Sequence, residues 1–147
     1  GVLGQPVVAN AITKLTAAGK IAYAALDFQA AWKLAANDKY SFPQAGAVVK
    51  NAVAEDKAFM TALYAALEEN QEFILNNSEQ IAGILGKNGS SLTAAFTREI
   101  VEACNIGCEK AVDLKTSLES YFTKIVAFDN TFVGGKLPDD GYYYSFS

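Results

Sequence analysis

The 147 residues carry a formal charge of −4, are 51% hydrophobic and only 19% charged. That balance is the reverse of a disordered chain and supplies enough apolar material for one core, so a single domain is expected. A membrane-spanning helix needs about 20 apolar residues, whereas the longest apolar run, residues 58–67, stops at ten and includes Thr61.

In chain order, nearly every segment steps by three or four residues between apolar positions, the period of a helix. The first expected helix covers residues 6–36. Pro6 suits its start, and Val8, Ile12, Leu15, Gly19, Ala22, Leu26 and Gln29 or Ala30 share one face, with Gly19 marking a close contact or a mild break. Asn37, Asp38, Lys39, Tyr40, Ser41, Phe42 and Pro43 read as a connection. A second helix is expected over residues 43–75 on Val49, Val53, Met60, Leu63, Leu67 and Ile74, with an interruption or rotation at Asp56. Ser78 can cap a short helix ending near Leu85, and residues 86–91 form a turn in which Ser90 or Ser91 can cap the next helix, bearing Phe96, Ile100 and Cys104. Asn105, Ile106 and Gly107 interrupt or bend the chain. A last helix over residues 108–133 presents Ala111, Leu114, Leu118, Tyr121, Ile125, Phe128 and Phe132 at heptad spacing, as a buried seam requires. The expectation is an all-α, single-domain helical bundle of four to five helices over residues 1–133, more than about 60% helix with essentially no sheet. The Gly/Pro-rich residues 134–141 cannot continue the last helix. They form a hinge, and residues 134–147 an extended aromatic tail.

The chemistry available is bounded most sharply by the complete lack of histidine. This removes the usual general base near neutral pH, the Ser-His-Asp and Cys-His nucleophile arrangements, proximal-histidine haem ligation and the Glu-x-x-His di-iron pattern. Residues 86–91 superficially resemble a phosphate loop, but Asn88 follows Lys87 where Ser or Thr is needed, and a helix precedes it instead of a strand. Glu68 with Glu72, Glu99 with Glu102, and Glu109 with Asp113 are carboxylate pairs at helical spacing. They read as solvated faces, so no metal and no cofactor are expected. Eleven scattered lysines and the single arginine, Arg98, do not form the cluster that nucleic acid requires. An anionic membrane surface is disfavoured on the same ground. Cys104 and Cys108 leave two readings open: a small disulfide loop broken by Gly107, or two buried thiols. Neither suggests catalysis.

The chain therefore reads as non-enzymatic, and two functions from different classes fit it. In the first, the bundle binds an apolar or lipid-like small molecule. About a sixth of the residues are alanine, set against nine Phe, seven Tyr and one Trp, and that mismatch of size can leave a gap between helices. The candidate lining is Phe28, Trp32, Phe59, Leu63, Leu118, Phe122 and Ile125. In the second, the protein is a structural or interaction subunit that docks through Tyr142, Tyr143, Tyr144 and Phe146, rings too apolar to stand free in water. They must close over their own helices or engage a protein partner, a second copy included. A start at Gly1 suits a processed precursor or a trimmed chain. The sequons at Asn76 and Asn88 suit a secreted or extracytoplasmic protein.

Overall fold

A computed structural model describes residues 1–37, 42–90 and 96–146. Among these the protein is all-α: about 60% of the residues are helical and none is in a strand. Seven α-helices follow in order: α1 (Val7–Ala17), α2 (Phe28–Ala36), α3 (Asn51–Ala54), α4 (Lys57–Asn76), α5 (Ser78–Lys87), α6 (Arg98–Ala103) and α7 (Lys115–Asp129). Two 3-10 turns, Asn130–Val133 and Asp140–Tyr142, complete the set. None of these helices is long and apolar enough to cross a membrane.

Among the described residues there are seven helices, not four or five, because the long periodic segments are cut by local backbone signals. The segment expected as one helix over residues 6–36 is two. Gly19 takes the left-handed conformation at φ +71°, and Lys20 N–H donates back to Leu15 O at 2.9 Å, closing the end of α1. Residues 20–27 are irregular. Asp27 then starts α2 by accepting from Gln29 N and Ala30 N at 2.8 and 3.2 Å, an N-cap that satisfies two otherwise orphaned donors. The segment expected as a helix from residue 43 stays irregular to residue 50. α3 and α4 meet at Asp56, whose carboxylate accepts from Phe59 N at 3.0 Å, so the acid on an apolar stripe is a cap between two helices.

Further along, Gly89 at φ +74° ends the turn after α5, and Ser90 N–H donates to Leu85 O at 2.9 Å. Thr97, not Ser90, precedes α6. Ser91 lies outside the described residues, as do Asp38, Lys39, Tyr40 and Ser41 of the connection after α2. Asn105 at φ +50° ends the α6 region. The last helix is shorter than residues 108–133, since α7 begins only at Lys115 and gives way to the 3-10 turn at Asn130. Asp129 fixes that turn by accepting from Thr131 N and Oγ1 at 2.9 and 2.6 Å. Gly134 and Gly135, at φ +73° and +91°, then reverse the chain.

The chain divides into two compact units. One comprises Gly1–Ala25 with Tyr64–Cys108, the other Leu26–Leu63 with Glu109–Ser147. In the first unit α5 lies against α6, and Val101 of α6 is its buried anchor at 1% exposure. Gln71 Nε2 donates to Ile106 O and Tyr64 OH to Cys108 O, both at 3.5 Å, tying α4 to the segment after α6. Cys104 and Cys108 are half-buried thiols with no disulfide between them, and burial pushes the Cys104 thiol above its ordinary pKa. In the second unit Met60, Tyr143 and Gln29 are buried.

Candidate functional site

Among the described residues, the second unit holds a series of ring contacts. Once Asp27 sets the start of α2, Phe28, Ala31, Trp32 and Ala35 fall at i, i+3, i+4 and i+7 and share a face. Opposite them stand Phe42, from the segment after α2, and Tyr121 of α7. Gln29 Nε2 donates to Phe42 O at 3.2 Å, which holds that segment to α2. Three rings close a triangle. Trp32 meets Tyr121 edge-on at 5.2 Å and Phe42 edge-on at 6.1 Å, while Phe42 and Tyr121 stack at 5.8 Å with 17° between planes. Such pairs contribute about 0.5–1.5 kcal/mol each beyond their area.

Because Ala31 and Ala35 are small where their neighbours are large, the triangle leaves an open hollow of about 370 Å³ lined by Phe28, Ala31, Trp32, Ala35, Phe42 and Tyr121. No lining residue is charged. Lys124, one turn beyond Tyr121, holds Nζ 5.9 Å from the Trp32 ring centroid.

Of the residues expected to line a pocket, Phe28 and Trp32 share this hollow, whereas Phe59, Leu63, Leu118, Phe122 and Ile125 do not line it. Phe122 instead extends the ring contacts. It lies 6.0 Å from Tyr121 and meets Tyr142 edge-on at 6.4 Å. Phe42, Tyr121, Ala31 and Ala35 were not expected there. The alanines carried a usable signal, since they fall one and two turns after Phe28 on its own face.

The tail packs within this same unit. Tyr143 is 5% exposed and meets Tyr142 edge-on at 5.2 Å. Tyr144 and Phe146 pair at 4.8 Å. Lysines cover the ring faces: Lys115 lies over Tyr143 at 5.6 Å, Lys57 over Tyr144 at 5.1 Å and Lys110 over Phe146 at 5.2 Å. Lys115 also pairs with Asp140 at 2.6 Å. Ring contacts thus run without a gap from Trp32 through Tyr121, Phe122 and Tyr142 to Tyr143.

Arg98 pairs with Glu102 at 2.8 Å along an exposed face of α6. Among the described residues no three His, Cys, Asp or Glu side chains come together as a metal-binding group would require. Compared with known proteins, the chain matches no family model, no curated sequence and no solved structure.

Proposed function

We propose that the chain is a non-enzymatic, extracytoplasmic helical-bundle protein that binds an apolar small molecule in the hollow of its second unit. The observation that carries this reading is the ring triangle of Trp32, Phe42 and Tyr121 set against Ala31 and Ala35. It offers uncharged, rigid walls with room between them, and apolar walls of this kind gain from displacing water. The lack of histidine supports a role without general acid–base chemistry. Because Trp32 is the sole tryptophan, its emission reports on the hollow directly. Titration with 1-decanol should change Trp32 emission in a saturable way and raise the melting temperature through preferential binding to the folded state. If both stay constant up to the solubility limit of the alcohol, this reading fails.

A second reading, a structural or interaction subunit of a larger assembly, is favoured by a different observation. Phe128 of α7 and Phe132 of the 3-10 turn that follows, four residues on, are 84% and 72% exposed, and Tyr142 of the tail is also half in solvent. Rings left in water at this spacing suit burial against another chain. Mass measurement in solution discriminates. A stable oligomer that Phe128→Ser with Phe132→Ser disperses supports the subunit, and a monomer for the parent chain opposes it.

A further inference from the structure

Resting on the binding reading of the hollow, we infer that its ligand is an apolar body carrying one carboxylate, and that Lys124 is the partner of that carboxylate.

The hollow supplies no charge of its own, since its lining is Phe28, Ala31, Trp32, Ala35, Phe42 and Tyr121. The cation beside it is Lys124, whose Nζ stands 5.9 Å from the Trp32 ring centroid. Lys124 follows Tyr121 by three residues on α7, so the ring that walls the hollow and the ammonium group share a helix face. Its situation differs from that of Lys115 on the same helix. Lys115 holds Asp140 at 2.6 Å and Glu119 at 3.9 Å, while among the described residues no carboxylate pairs with Lys124. Asp27, the acid nearest in sequence to the hollow's first residue, has its Oδ1 taken up by the backbone N–H groups of Gln29 and Ala30. Lys124 thus places a cation beside the hollow in a chain whose overall charge is −4. A neutral apolar ligand would give that ammonium no ionic partner beyond its contact with the Trp32 ring. One with a carboxylate at its edge places the acid against a flexible lysine while its body rests on the rings. The chemistry is that of a free fatty acid or an aryl carboxylate, with the body in the hollow and the head group toward solvent.

Decanoate and 1-decanol share a chain and differ in head group, so each is titrated against Trp32 emission at neutral pH and low ionic strength. The proteins are the parent chain, Lys124→Gln and Lys124→Arg. Lys124 is exposed and Lys124→Arg keeps a cation over Trp32, so decanol binding to each variant reads any effect on the packing of that ring. Lys124→Gln should weaken decanoate about two- to fivefold, the range an exposed ion pair supplies, and leave decanol unchanged. Lys124→Arg should retain decanoate affinity, and moderate salt should erase the difference between parent and Lys124→Gln. The inference is overturned if Lys124→Gln leaves decanoate binding unaltered. It is overturned equally if both probes weaken together, which would mean that the lysine only braces Trp32. In those two cases decanol still binds the parent chain and the hollow reading stands. If neither probe binds the parent chain, the hollow reading falls and this inference with it.

Discussion

Lys115 Nζ lies 2.6 Å from Asp140 Oδ1, across 25 residues of chain, and pins the start of α7 to the base of the tail. The same ammonium covers the Tyr143 ring at 5.6 Å. One lysine thus holds both the polar and the aromatic part of the returning segment.

The pin should make tail packing pH-dependent at both extremes. The bond to Lys115 holds the Asp140 carboxyl below its ordinary pKa. The stabilisation is therefore complete above the ordinary carboxylate range and is lost as pH falls through the lowered value. Asp140 likewise raises Lys115, and burial raises the Tyr143 phenol. Those contributions are complete below the ordinary lysine and tyrosine ranges and are lost as pH rises through the raised values. Both partners of the pin are solvent-screened, so the effect is small and should weaken with salt. Near-ultraviolet circular dichroism of the tyrosines across pH should show a plateau with a fall at each end. Asp140→Asn should flatten the acid limb, and an unchanged acid limb in that variant would refute the assignment.

Tyr143 is buried, and among the described residues its hydroxyl has no hydrogen-bond partner. A buried unmet hydroxyl costs about 1–3 kcal/mol, so removing it should not hurt. Tyr143→Phe is expected to leave stability unchanged or raise it by about 1 kcal/mol, whereas Tyr143→Ala should cost about 3 kcal/mol. Denaturant unfolding measures both. A Phe variant markedly less stable than the parent would mean that the hydroxyl is bonded.

Asp27 acts on the hollow at one remove. Its cap fixes where α2 begins, and with it the shared face of Phe28, Ala31, Trp32 and Ala35. Asp27→Ala should cost about 0.5–2 kcal/mol, and Asp27→Asn much less, since Asn caps nearly as well. Trp32 emission should shift to the red in the Ala variant as α2 frays. A blue shift, or no loss of stability, would contradict the cap's role.

The ring contacts run in an unbroken series from Trp32 to Tyr143, so loss of the tail removes the end of the series that begins at the hollow. Deleting residues 142–147 should lower the melting temperature and alter Trp32 emission, although no deleted residue touches Trp32 in a ring contact. If emission and stability both stay the same, the tail packing contributes nothing.

Much of the local structure was legible in the sequence, and the reasons are specific. The stop at Gly134 with Gly135 lies where a left-handed backbone excludes most side chains, whereas Gly19, read as a close contact or a mild break within one helix, is where α1 ends. The interruption at Asp56 was visible as an acid on an apolar stripe, and the structure supplies its purpose as a cap. The start of α2 was hidden because Ala22, Leu26 and Ala30 keep the helical step across residues 20–27, where the chain is irregular. An Asp with free backbone donors two and three residues ahead was the signal that outranked it. Which rings meet was beyond periodicity. Phe42 read as a linker residue, and Tyr121 as one position of a seam whose later members, Phe128 and Phe132, stand in solvent. Spacing along one helix says which residues share a face, but not which other segment that face meets.

The interleaving of the two units sets an order of assembly during synthesis. Residues 26–63 leave the ribosome before residues 64–108, yet their partners, residues 109–147, come last. At about 5–20 residues per second, the 45 residues between Leu63 and Glu109 take roughly 2–9 s to make. During that interval Trp32 and Phe42 lack Tyr121, the ring they meet in the folded chain. The first unit holds all its residues once Cys108 has emerged, so it can collapse while the second is still incomplete. A nascent chain arrested just past residue 108 would therefore present Trp32 and Phe42 without Tyr121, the ring that residues 109–147 bring to them.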